Sequence, residues 1–192
     1  MDICFATNNK GKLKEIKELL EPEYRIVSLE DIGCKEELPE TSDTLEGNSL
    51  QKAKYVYDNY KVSCFADDTG LEVEALNGAP GVYSARYAGP ECNPENNMTL
   101  LLKELEGVKN RKAKFRTCIT LILNGEVKQF VGEVSGHILE AKKGEKGFGY
   151  DPVFQPDGFD RSFAELEMSE KNGISHRGKA VRKLAEYLKS LI

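Results

Sequence analysis

Long apolar runs are missing from this 192-residue chain. No segment approaches the roughly 20 consecutive apolar residues that a membrane-crossing helix requires. No leader pattern opens it either, because Asp2-Ile3-Cys4-Phe5-Ala6-Thr7 enters a strand-like run at once, so a cytoplasmic protein with no membrane role is expected. A basic excess is missing too. The formal net charge is -5, whereas nucleic-acid binders usually carry a basic face, so a nucleic-acid polymer is not the expected partner. A local basic pocket for a small anion is still compatible with that balance. Cysteines are few: Cys4, Cys34, Cys64, Cys92 and Cys118 form an odd set with no C-x-x-C spacing. That argues against a disulfide framework or a zinc site, and Cys4 and Cys64 lie in apolar runs that suit a core. Repeats, low-complexity tracts and linker-like composition are absent as well. Residues 1–192 therefore read as one domain, with 40% hydrophobic and 31% charged residues, long enough for a real core.

What is present centres on Ala66-Asp67-Asp68-Thr69-Gly70, at the end of the apolar run Val62-Ser63-Cys64-Phe65. Carboxylates are rarely buried without a partner or a metal, so acids closing a buried strand are either a solvated turn or part of a site. Side chains alternate along a strand, so Asp67 and Asp68 should point opposite ways unless the strand has already ended. Alternation alone does not choose between them.

The first strand is followed by Asn8-Asn9-Lys10-Gly11-Lys12 and then Leu13, Ile16, Leu19 and Leu20 at helical spacing, closed by Pro22. A strand, a polar turn and a helix start suit an anion, although this is not the Walker pattern, and two solvated lysines in an ordinary connection fit equally. Tyr24 to Leu29 reads as a second strand, and Glu30 to Asp43 as an irregular acidic stretch. Thr44 can cap a helix running to about Tyr60 whose inward side is expected to be Leu45, Ala53, Val56, Tyr57 and Tyr60. Lys52 and Lys54 lie on different faces of it, so at most one can reach a shared site.

Leu71 to Leu76 alternates as a strand, and Asn77-Gly78 can turn it. Gly78 to Pro90 is loop-like, with Arg86 either functional or stacked on Tyr83 or Tyr87. Asn93 to Glu106 is helical, and Lys112 to Leu123 with Glu126 to Ile138 across Asn124-Gly125 is the clearest hairpin. It reads as an antiparallel extension of the main sheet or as a second lobe. Lys146 to Phe154 puts Phe148 and Tyr150 beside Asp151 in a glycine-rich strand entry, suited to stacking on a base or to a turn with core aromatics. Ser169 to Gly178 gathers Lys171, His176 and Arg177 before a last helix that should bury Ala180, Val181, Leu184, Leu188 and Leu191. Two cationic helix entries, an aromatic glycine loop and a strand ending in acids would all be used by a nucleoside triphosphate with Mg²⁺.

Six ordered segments resemble a known family. They are Phe5–Lys12, Leu38–Thr41, Phe65–Leu71, Gly78–Arg86, Gly147–Phe154 and Glu170–Arg177. The chain is similar over nearly its whole length to the inosine triphosphate pyrophosphatases, the Ham1-like enzymes acting on non-standard purine nucleoside triphosphates. The resemblance implies an elongated α/β fold with a mixed central sheet flanked by helices, two lobes with a cleft between them, and a homodimer. It implies hydrolysis of ITP, dITP and XTP to the monophosphate and pyrophosphate by water attack at the α-phosphorus. Carried over, Thr7, Asn8, Asn9, Lys10, Gly11 and Lys12 hold the phosphates, and Lys52 and Arg86 lie near them. Glu40 and Asp68 bind Mg²⁺, Asp68 also takes the proton of the attacking water, and Thr69 contacts substrate. Phe148, Gly149, Tyr150 and Asp151 form the base pocket with Lys171, and His176 and Arg177 contact the base and its 6-oxo group.

Cationic donors at a 6-keto acceptor favour hypoxanthine and xanthine over adenine. Guanine shares that keto group, so rejecting GTP needs a contact at position 2 that the sequence does not reveal. Two departures stand out. Gly47 occupies a position where many relatives carry a second glutamate, and Thr69 stands for a common serine. Two rivals remain: an aspartyl-phosphate phosphatase, whose motif needs aspartates one residue apart rather than adjacent, and a nucleotide sensor that binds without hydrolysis.

Overall fold

The structure is a computed structural model and describes residues 2–191. Its strands are β1 (Asp2–Phe5), β2 (Arg25–Val27), β3 (Cys64–Val73), β4 (Pro80–Gly81), β5 (Lys112–Leu123), β6 (Glu126–Ile138) and β7 (Phe154–Pro156). They form one mixed sheet in the order β2-β1-β3-β5-β6-β7, with β4 paired to β3. The helices are α1 (Lys10–Leu20), α2 (Leu45–Tyr60), α3 (Pro94–Glu104), α4 (Met168–Ile174) and α5 (His176–Lys189). The expected mixed α/β architecture is present. β1 pairs in parallel with both β2 and β3, so the chain makes a helical crossover through α1 and returns through α2, as parallel neighbours require.

The described residues divide into two compact units. One holds the chain up to Asp68, Thr117–Gly132 and the segment from Arg177; the other holds Thr69–Arg116 and Glu133–His176. The first unit buries two clusters. Ile3, Phe5, Ile16, Leu20, Phe65, Ile119 and Leu184 make one, with Phe5 and Phe65 stacked at 4.7 Å. Cys4, Cys34, Ala53, Val56, Cys64 and Ile122 make the other, so the core role read for Cys4 and Cys64 holds. The second unit buries Leu71, Met98, Leu101, Phe115, Val153, Phe154 and Phe163.

Several local readings change. β3 does not stop at the acids but runs unbroken through Asp67, Asp68, Thr69 and Gly70. Gly70 is therefore a strand glycine: a Cβ there would lie 2.7 Å from the Gly81 carbonyl oxygen, and its absence lets β4 approach. The strand expected to Leu76 ends at Val73, because Asn77 and Gly78 take positive φ (54° and 89°) and the chain folds back from Gly78 N–H to the Val73 carbonyl at 3.0 Å. Ser169 to Ile174 is not a loop. It lies in α4, whose start is closed reciprocally by Glu167 and Glu170, and Ser175 in extended backbone separates it from α5. Leu191 is 50% exposed, because α5 ends at Lys189 and no longer turns that side chain inward. By contrast α2 spans Leu45–Tyr60 behind its Thr44 cap, as read, and the β5–β6 hairpin has the expected bounds.

Truncating Leu184 and Leu191 tests this end of the fold. Leu184→Ala should cost about 2–5 kcal/mol in urea unfolding and Leu191→Ala no more than about 0.5 kcal/mol; equal losses would mean that Leu191 is packed.

Candidate active site

Consecutive strand residues face opposite ways, and the two acids of β3 do so. Asp67 is 0% exposed. Lys12, one turn into α1, brings its Nζ to 3.1 Å from the Asp67 carboxylate, and Arg177 of α5 brings its Nε to 3.4 Å from Oδ2. The same guanidinium pairs through Nη1 with Glu15, also buried in α1. Lys52 of α2 donates to the Asp67 main-chain carbonyl at 2.6 Å. Burial alone would push the Asp67 carboxyl up, but Lys12, Arg177 and Lys52 outweigh it and hold the group well below the usual carboxylate range.

Asp68 has a different balance. Asn48 of α2 donates to its Oδ2 at 3.0 Å. Burial raises the Asp68 carboxyl above its ordinary value; Lys52 and Lys12 pull it down, and the Glu40 carboxylate pushes it up again. Glu40 is half-buried and pairs with Lys52 Nζ, so one ammonium faces both the Glu40 side chain and β3. Lys52 stays protonated to higher pH than usual, because Asp67, Glu40 and Asp68 together exceed its desolvation. Two mutually repelling carboxylates, one of them under-compensated, make an oxygen donor set for a hard cation. Among the described residues no group of three or more His, Cys, Asp or Glu side chains is disposed for a metal. A cation here would take two protein carboxylates and fill its shell with water and ligand oxygens, which fits Mg²⁺ and does not fit zinc.

The second unit holds its own set. Lys171 of α4 donates to Asp151 Oδ2 at 2.6 Å, and the Phe148 N–H reaches the same oxygen at 3.1 Å. Lys171 Nζ lies 4.8 Å from the Phe148 ring centre and 5.7 Å from that of Phe163. Gly147 lets this loop close, since a Cβ there would stand 2.1 Å from Asp151 Oδ2. His176 stacks on Phe115 with centroids 4.6 Å apart. Tyr150, buried, donates its hydroxyl to the Ser84 carbonyl at 2.6 Å. The set thus combines aromatic faces with a lysine and an aspartate, the groups that read a heterocycle's face and edge.

The Ham1 family model matches residues 3–187. The chain belongs to the Ham1 family. It is 56% identical over 188 residues to the dITP/XTP pyrophosphatase of Flavobacterium johnsoniae, covering 98% of each chain. It is 52% identical to the protein of that name from Porphyromonas gingivalis, covering 97% of this chain and 96% of the relative. The solved structure of the Staphylococcus aureus Ham1 protein superposes with a TM-score of 0.90 at 38% identity, each chain covered completely.

In this Ham1 chain the residues expected for the phosphates take varied places. Thr7 accepts from the Asn9 N–H at 3.1 Å, and Asn9 caps α1 by accepting from the Lys12 N–H at 3.0 Å. Asn8 and Lys10 are exposed, Gly11 is half-buried, and the Lys12 ammonium is on Asp67. Glu40, Lys52 and Asp68 come together, while Lys54 is exposed and paired with Asp58, as its different helix face requires. Thr69 follows Asp68 along β3, half-buried. Phe148, Gly149, Tyr150, Asp151 and Lys171 come together around the Asp151–Lys171 pair, and His176 lies against their aromatic neighbours. Arg177 joins Asp67 and Glu15 in the first set. Arg86 stacks on Tyr83 at 5.0 Å, the alternative left open for it. Glu15, Asn48, Gln51 and Phe163 escaped the sequence reading. Asn48 and Lys52 lie on the same helical stripe as Leu45, Ala53 and Val56, and polar residues on a buried stripe were the available signal.

The two acids should respond oppositely to neutralisation in metal-free buffer. Asp67→Asn leaves buried cations uncompensated and should cost about 3–5 kcal/mol of stability. Ionised Asp68 is less favourable in the fold than in the unfolded chain, so its charge opposes folding increasingly as pH rises through the carboxylate range. Asp68→Asn should therefore hold or raise the thermal midpoint at pH 7; a fall matching that of Asp67→Asn would refute the distinction.

Proposed function

We propose that this protein hydrolyses the non-standard purine nucleoside triphosphates ITP, dITP and XTP to the monophosphate and pyrophosphate, with Mg²⁺ held by Glu40 and Asp68. The reading rests chiefly on an under-compensated Asp68 beside Glu40, in a chain more than half identical to proteins named dITP/XTP pyrophosphatase. The first set suits a triphosphate: Lys12 and Lys52 supply cationic donors, and the start of α1 adds main-chain N–H groups and the positive end of the helix dipole. The second suits a purine, with Phe148 as a stacking face and Lys171, Asp151 and His176 as polar groups near it. A purine with a 6-keto oxygen can accept from N–H donors there, whereas the adenine amino group, itself a donor, cannot.

In the step we propose, the oxygen of a water bonds to the α-phosphorus. The bond from that phosphorus to the bridging oxygen breaks, and pyrophosphate leaves. Asp68 accepts the water's proton. A carboxyl raised above its ordinary value by burial is better matched to that task than a fully compensated one. Asp67, tied to Lys12 and Arg177, keeps β3 and α1 in register rather than exchanging protons. When bound, Mg²⁺ supplies charge neutralisation on the phosphate oxygens. Asn48 orients the Asp68 carboxylate, and Lys52 balances the acids from α2. A homodimer working in the cytoplasm belongs to the same proposal and rests on the family resemblance. Among the described residues no helix is long and apolar enough to cross a membrane.

A product assay on ITP, XTP, dITP, GTP and ATP with Mg²⁺ tests the reading. Pyrophosphate should appear with the first three, and Asp68→Asn should lower the rate by about 10³-fold or more, as expected for loss of an essential general base. Orthophosphate as the product would favour a phosphatase. Protection against unfolding by dITP without turnover would favour a sensor.

A further inference from the structure

Glu40 is carried on a segment with no regular secondary structure, yet that segment is tied down residue by residue to one face of α2. Asn48, Gln51 and Lys52 stand at i, i+3 and i+4 and so share that face. Gln51 Oε1 accepts from the Thr41 N–H at 2.8 Å and from the Ser42 N–H at 3.3 Å, and Gln51 Nε2 donates to Thr41 Oγ1 at 2.7 Å. Asn48 Oδ1 accepts from the same Ser42 N–H at 2.8 Å while its Nδ2 serves Asp68. Lys52 pairs with Glu40 itself.

Gly47 completes the seat. A Cβ at this position would lie 1.9 Å from Ser42 Oγ, 2.6 Å from Ser42 Cβ and 2.9 Å from Thr44 Oγ1. Thr44 Oγ1 meanwhile caps the helix by accepting from the Gly47 N–H at 3.0 Å. Any side chain at position 47 would therefore lift Ser42 off the helix or undo the cap. The glycine thus has a positive structural consequence: the segment bearing Glu40 lies directly on the helix.

We propose that Gln51 and Gly47 are positioning residues for Glu40, fixing the Thr41–Ser42 backbone on α2 so that the Glu40 carboxylate is presented beside Asp68 for the divalent cation. Neither residue touches substrate in this account. They act through Glu40, so their loss should weaken the use of the cation more than the chemical step. The proposal rests on the reading of Glu40 and Asp68 as the cation's carboxylates, and the experiment separates the two.

Gln51→Leu removes both amide functions at similar size, and Gly47→Ala displaces Ser42. Each is to be compared with wild type for the Mg²⁺ concentration giving half-maximal pyrophosphate release from dITP. Mg²⁺ binding is also to be measured by calorimetry with a non-hydrolysable α,β-methylene dITP, and the thermal midpoint without cation. Both variants should need about tenfold more Mg²⁺ or beyond, bind it correspondingly more weakly in calorimetry, and recover kcat to within about threefold at saturation. A lowered thermal midpoint with unchanged Mg²⁺ dependence would reduce the two residues to a structural role and overturn the proposal. Asp68→Asn serves as the reference. If it stays active, the assignment of Asp68 falls, and the calorimetric affinity of the two variants alone decides the role of Gln51 and Gly47.

Discussion

A carboxylate sealed from water in the middle of a strand is unfavourable unless cations reach it, and at Asp67 two do. Lys12 arrives from α1 and Arg177 from α5, while Glu15 pairs with the same guanidinium and balances the second of these two cations. Removing one member leaves the others buried and unpaired, so the network acts as a unit. Its chief effect is on register. β3, the first turn of α1 and the first turn of α5 are each fixed to one point, and these segments carry Lys12, Asp68, Thr69, His176 and Arg177 among the residues read from the sequence as functional.

The arrangement also separates two adjacent acids into different jobs. Asp67 is held charged and inert by the cations around it. Asp68, one residue on and facing the other way, meets Asn48 and the repulsion of Glu40 and is left under-compensated. A strand is well suited to this division, since neighbours on it are close in sequence but see different surroundings. α2 then serves both sides through one face, with Asn48 on Asp68, Gln51 on the segment after Glu40, and Lys52 on Glu40 and the Asp67 carbonyl.

Much of this was legible in the chain. The Thr44 cap with its apolar stripe defined the start of α2 and its approximate end, and Asn124-Gly125 between two strand-like runs defined the hairpin, because both signals are local. The acids themselves stood out for the same reason. What local reading missed depends on distant partners. β3 appeared to end at Asp67 because two acids look like a strand terminus until Lys12 and Arg177, at sequence separations of 55 and 110, are known to neutralise one of them. Glu15 escaped notice because its partner, Arg177, is contributed by the last helix. Leu191 followed the helical period of α5, but the period says nothing about where the helix stops. Arg177 sits beside His176 in sequence, yet the start of α5 sends the two side chains to different neighbours, Glu15 with Asp67 and Phe115 with Phe163.

Asp67 and Asp68 meet opposite electrostatic fates, and that contrast is open to measurement. Carbon-13 NMR of the aspartate carboxyls, followed through a pH titration without divalent cations and assigned with Asp68→Asn, measures it directly. Asp68 is expected to titrate above the ordinary aspartate value while Asp67 stays ionised well below it. An Asp67 carboxyl that titrates at or above the ordinary value, or an Asp68 carboxyl that titrates below it, would rule out this division between the two acids.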